Sequence, residues 1–194
     1  MSQVPSSPDA FFANYIPARF AELTSFEAAT SAGSVLFVVP GSGRWAYRLV
    51  SGQLRVDESV DPDVIVTITI PQESFEPIVV HGAQRLAGQA LSAERQLLAF
   101  RALTLDAERA ALIRRVNGSV AFAVVEAAVA HRVFVTPGSD VPNLSQPECE
   151  ISCDADAFWG LQSGAQNPFE LLMSGKLRIS GDAQIPMALS AIFV

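Results

Sequence analysis

The order of hydrophobic patterns along the chain predicts an α+β fold made of two related copies of one unit. Strand-like alternation and helix-like periodicity come in blocks, strands and then helices, twice over. Gly33-Ser-Val-Leu-Phe-Val-Val39 is echoed by Gly118-Ser-Val-Ala-Phe-Ala-Val124, and Pro62-Asp-Val-Ile-Val-Thr-Ile68 by Pro147-Glu-Cys-Glu-Ile-Ser-Cys153, both 85 positions later. Further landmarks keep their order: Phe75 then Gly82 against Phe158 then Gly164, Leu97-Leu98 before Leu103 and Leu105 against Leu171-Leu172 before Leu177 and Ile179, and Asp106 against Asp182. Echoes in one order at a long period are the mark of an internal repeat.

The elements follow in sequence. Asp9 to Ala29 has Phe11, Phe12, Tyr15, Ile16, Phe20 and Leu23 near helical spacing, with Pro17 expected to kink or split the helix. Ser34 to Val39 is a short apolar run, read as a buried strand, and Pro40-Gly-Ser-Gly43 is a turn. Arg44 to Val50 alternates, with Trp45, Tyr47 and Leu49 on one side. Ser51-Gly52 leads into Gln53–Val56, and Val64 to Ile70 is rich in β-branched residues, so the spacing predicts an antiparallel meander of about four strands. Pro71-Gln-Glu-Ser opens a helix that Gly82 should stop, and a longer helix is expected around Leu86 to Ala99. Ala102 to Leu105 reads as a short strand, and Asp106 as the cap of a helix through Val116.

Composition narrows the function. Hydrophobic residues make up 49% of the 194 residues, and the mean hydropathy is +0.29. That calls for an unusually rich core, a ligand cavity or a large internal contact. The most apolar stretch, Val120 to Val135, contains Glu126, His131 and Arg132, so no transmembrane helix and no stable membrane insertion is expected. Met1 to Ala10 has neither a basic residue nor an apolar run, unlike a signal peptide, which makes the cytoplasm the expected location. The net charge of −7 disfavours nucleic acid and anionic membrane surfaces as partners.

No constellation for catalysis or metal binding stands out, and neither an enzymatic activity nor a cofactor is expected. His81 and His131 are the two histidines, and both read as structural or solvated. Cys149 and Cys153 lie on one side of a predicted strand, with Cα atoms about 13 Å apart by the strand rise. That is too far for a disulfide. Glu148 and Glu150 fall on the other side, which argues against a metal cluster. Ser42 belongs to a Gly-Ser-Gly turn rather than a nucleophile elbow. Gly175-Lys176 lacks the Ser or Thr of a phosphate loop. Asp182 precedes a helix and reads as its cap, and Glu73, Glu76 and Glu94 read as solvated faces.

The C-terminal run Asn167-Pro168-Phe169-Glu-Leu-Leu-Met-Ser-Gly175-Lys176-Leu177-Arg178-Ile179-Ser180-Gly181-Asp182, followed by an apolar helix to Phe193, resembles the closing signature of the type-2 sterol carrier protein (SCP2) domain. Arg44-Trp45-Ala-Tyr-Arg-Leu-Val-Ser-Gly52 and Asp63 to Ile70 with Phe75 are similar to that family's aromatic strand, glycine turn and following strand. On this resemblance, residues 1–33 are a tail and helix, 34–117 a first copy and 118–194 a shorter second copy. Two departures stand out. Arg101-Ala-Leu-Thr-Leu-Asp106 lacks the glycines that flank the closing strand, and Thr136 to Gln146 replaces a hairpin.

The resemblance implies a mixed or antiparallel sheet of about five strands covered by helices, with an apolar tunnel between them. It implies non-enzymatic binding or transport of a fatty acyl, sterol or other hydrophobic small molecule. Phe75, Ile78, Val79, Phe158, Trp159, Leu161, Phe169, Leu172, Met173 and Ile179 would line that space. The competing expectation is a structural module whose copies fill their own cavities and which meets a protein partner or forms a homodimer.

Overall fold

The computed structural model describes residues 3–22, 30–57, 63–87 and 102–189. Its strands are β1 (Ser34–Val39), β2 (Gly43–Val50), β3 (Gln53–Asp57), β4 (Val64–Thr69), β5 (Val120–Glu126), β6 (Val129–Pro137), β7 (Cys149–Asp154) and β8 (Leu177–Gly181). They form one eight-stranded sheet in the order β3-β2-β1-β4-β6-β5-β7-β8. This corrects the expected sheet of about five strands. The reason lies at the centre, where β4 pairs antiparallel with β6, Val66 opposite Pro137 through Thr69 opposite Phe134. Strands from before and after the Ala107–Arg114 helix thereby share one sheet.

The first strands are not a simple meander. β1 pairs antiparallel with β2 and parallel with β4, while β3 lies outside β2. β5 repeats this pairing, antiparallel with β6 and parallel with β7, and β8 closes against β7. Ala102 to Leu105, read as a strand, contains a 3₁₀ turn instead.

Helical segments cover one face of the sheet. They are π1 (Ala10–Tyr15), α1 (Ile16–Ala21), α2 (Gln72–Ser74), π2 (Phe75–Val80), α3 (His81–Ala87), α4 (Ala107–Arg114), α5 (Ala155–Ser163), α6 (Pro168–Met173) and α7 (Gln184–Leu189). Pro17 lies at the start of α1, which follows π1 without a break, Tyr15 and Ile16 both being in the right-handed helical region, so the helix changes type there and is not split into separate pieces. Gly82 does not stop a helix; α3 continues through it. Its role is close approach, since a Cβ there would lie 3.1 Å from the Trp159 ring. Asp106 and Asp154 cap α4 and α5 by accepting from the N–H groups of Arg109 and Ala157. Asp182 accepts from Gln184 N at 2.9 Å at the start of the last helix. The helix expected at Leu86 to Ala99, beyond Ala87, and the ends of the first and last helices lie outside the described residues.

The N-terminal half of the covered face is filled by aromatic rings. Phe12 stacks on Trp45 at 4.9 Å and lies 5.0 Å from Phe37, while Phe75 meets Phe11 at 5.8 Å and Phe12 at 6.0 Å. Trp45, Tyr47, Val35 and Leu49 are almost fully buried beneath them. The Tyr47 hydroxyl donates to the Phe12 carbonyl at 2.6 Å, anchoring π1. Burial holds the Tyr47 phenol far above its ordinary pKa, so it stays a neutral donor. Tyr47→Phe leaves that carbonyl without this donor and should cost about 1–3 kcal/mol, read as a lower urea midpoint with an unchanged m-value.

In the C-terminal half, the Ser119 hydroxyl and N–H donate to Glu148 Oε2 at 2.6 and 2.8 Å. The Ser119 hydroxyl, helped by backbone donors, holds the Glu148 carboxyl below its ordinary 4.5. A depressed folded-state pKa contributes stability above the ordinary value, which is lost as pH falls through the folded value. Ser119→Ala should therefore lower stability at neutral pH and flatten its decline in acid, measured by urea titrations across both ranges.

An apolar trough in the C-terminal half

Because β5 to β8 are paired in register, their side chains on the helix-covered face form three parallel rows. One runs Val135, Val120, Cys149, Gly181; the next Val133, Phe122, Ile151, Ile179; the third His131, Val124, Cys153, Leu177. The alternation of a β-strand puts all three on the same face. Gly181 suits its place, because a Cβ there would sit 2.1 Å from the Glu148 carbonyl oxygen.

Burial differs between rows. Val120, Val135 and Cys149 belong to the main core. Cys153 forms a second core with Ala157 of α5 and Leu171 of α6, against which Phe158, Leu161 and Leu177 pack. The middle row borders the main core, against which Val133, Phe122 and Ile151 pack. Val133, Phe122 and Ile151 are only half-buried, and Ile179 is 40% exposed. The middle of a sheet face under helices is ordinarily its driest part. Here it is an apolar trough crossing four strands.

The ten predicted residues fall into groups around it. Phe158 and Leu161 sit beside the trough on α5, and Ile179 closes its β8 end. Trp159 meets Phe158 at 4.7 Å, with the Arg85 guanidinium 4.8 Å above its ring, so α5 is tied to α3. Phe169, Leu172 and Met173 project from α6 with 67%, 41% and 73% exposure, while Leu171 is the inward residue. Phe75 is separate, buried in the aromatic filling of the N-terminal half, and Ile78 and Val79 are half-buried on π2. Phe122, Val133 and Ile151 were missed by sequence reasoning, although the 85-residue echo places Phe122 on Phe37 and Ile151 on Val66.

Ionisable groups are sparse. Burial raises the pKa of both Cys149 and Cys153 thiols, which disfavours nucleophilic thiolates. Both cysteines are free. Among the described residues, no three His, Cys, Asp or Glu side chains gather as a metal site. A shallow depression of about 240 Å³, walled by Pro40, Pro71, Glu73, Arg132, Phe134 and Leu144, contains none of the ten predicted residues. Phe134 and Arg132 alternate with the trough residues of β6, which puts the depression on the opposite face. It is smaller than ordinary small-molecule sites, roughly 300–1,000 Å³. No helix among the described residues is long and apolar enough to cross a membrane.

Residues 99–194 match the SCP-2 sterol transfer family. The SCP-2 span takes in β5 to β8 and every residue of the trough. Among solved structures, sterol carrier protein 2 from Yarrowia lipolytica in its apo form is 22% identical, with a TM-score of 0.33, over 44% of this chain and 73% of that one. Sterol carrier protein 2 like 2 from Aedes aegypti is 14% identical, with a TM-score of 0.34, over 63% and 98%. A ubiquinone synthesis protein, UbiJ-SCP2, is 21% identical, with a TM-score of 0.34, over 61% and 95%. No curated protein matches the chain significantly.

Proposed function

We propose that the protein binds or transports the apolar part of a lipid or sterol, without chemistry, along the trough of its C-terminal half. The observation that carries this reading is the partly exposed apolar middle row, Val133, Phe122, Ile151 and Ile179, at the border of the main core and open at Ile179. Four strands at about 4.8 Å spacing give a hydrocarbon strip about 14 Å across. Each methylene buried on it gains about 0.8 kcal/mol, so a medium-length chain needs no charged anchor to bind. The match of residues 99–194 to a sterol transfer family supports the same ligand class.

The N-terminal half is, on this proposal, a relative of the same unit with its ligand space occupied by its own rings. The shared pairing scheme of β1, β2 and β4 with β5, β6 and β7 supports the duplication, as does the 85-residue offset of Val35 from Val120 and Val64 from Cys149. That half then acts as scaffold, the role the module reading gives to the whole chain.

Dodecanoate or cholesterol should raise the melting temperature of the purified protein. Ile151→Glu, placing a carboxylate in the middle row, should weaken binding of a fluorescent fatty acid at least tenfold. Phe37→Leu, in the filled half, should lower stability and leave that affinity unchanged. No thermal shift with either ligand, together with no lipid in an organic extract of the protein, overturns the proposal and leaves the scaffold reading.

A further inference from the structure

Building on the lipid reading, we propose that His131 is the polar anchor of the trough and holds the hydroxyl headgroup of a neutral lipid through Nδ1. His131 stands at the β6 end of its row, opposite Val124 and in line with Cys153 and Leu177. Among the twelve positions of the three rows it carries the one nitrogen-bearing side chain; the others are aliphatic, aromatic, thiol or glycine. Its direction is fixed by its neighbour. Arg132 points to the opposite face, where its Nε donates to Glu150 at 2.8 Å, and its backbone N–H donates to Ser74 Oγ at 2.9 Å. With β6 pinned on that side, alternation turns His131 toward the trough.

There His131 Nδ1 is shielded from solvent and no protein group among the described residues forms a hydrogen bond with it. A buried polar atom left unpaired is costly, and native proteins rarely tolerate one without a water, ion or ligand to satisfy it. A lipid lying along the adjacent middle row would bring its head to this nitrogen and send its tail toward Ile179. An imidazole nitrogen either accepts from a hydroxyl or donates to an oxygen, according to its tautomer. Glu126 selects between headgroups. It shares the face, two residues beyond Val124 on β5, and is exposed at the hairpin end. Its negative charge disfavours a carboxylate beside His131 and leaves a hydroxyl unaffected.

The test compares dodecan-1-ol, dodecanoate and dodecane as displacers of Nile red from the full chain. Dodecan-1-ol is expected to bind about tenfold more tightly than dodecane, the worth of one buried hydrogen bond, and more tightly than dodecanoate. His131→Phe should remove the alcohol's advantage and leave dodecane unchanged, while His131→Gln should keep part of it. In the unmodified protein, the His131 imidazole ¹⁵N resonances should shift with dodecan-1-ol and stay in place with dodecane, a readout independent of how the variants fold. Equal binding of alcohol and alkane, or imidazole resonances that do not move, overturns the anchor. Displacement by none of the three overturns the lipid reading beneath it.

Discussion

Val66, Thr67, Ile68 and Thr69 pair with Pro137, Thr136, Val135 and Phe134, and this short antiparallel seam makes one sheet of two. On the helix-covered face it carries a single line of side chains from Trp45 through Phe37, Ile68, Val135, Val120 and Cys149 to Gly181. On the other face Thr67, Thr69, Thr136 and Phe134 are buried together, and the Thr67 hydroxyl donates to the Gly138 carbonyl at 2.7 Å. The main core therefore draws on both halves of the chain. Phe11 and Val35 belong to the same cluster as Ile185 and Leu189.

β1, β2 and β4 pair in the same scheme as β5, β6 and β7, with different side chains above them. Around Phe37 and Tyr47, rings from π1 and π2 press onto the sheet, and large side chains occupy the space above it. Around Phe122 and Ile151 the sheet face is equally apolar, yet these residues stay half-buried. Apolar surface left partly open, as at Ile179, is unfavourable because water must wet it.

Local chemistry was readable from the sequence wherever one residue type settles one geometry. Alternation placed Trp45, Tyr47 and Leu49 on one side, and Asp106 and Asp182 were recognisable as caps. The long-range pairing was not. Whether β4 lies parallel to β1 or follows β3 in a meander depends on contacts between segments far apart in the chain, and β-branched residues such as Val64 and Ile65 suit both. Gly82 looked like a helix stop because its packing against Trp159, 77 positions away, leaves no local trace. The residues in and beside the middle row were unevenly legible. Phe158, Leu161 and Ile179 were marked by the family signature, whereas Phe122, Val133 and Ile151 look like ordinary strand residues until burial tells them apart.

Joining two sheets through β4 and β6 also changes what the molecule shows to other chains. Two separate sheets would end in four unpaired strands, each a template for amyloid-like addition. The fused sheet ends in two, β3 and β8. Both bear charge, Arg55 and Asp57 on β3 and Arg178 on β8 beside Lys176, the kind of residue that discourages foreign strands from docking. The charge on this sheet thus sits where an incoming strand would have to pair.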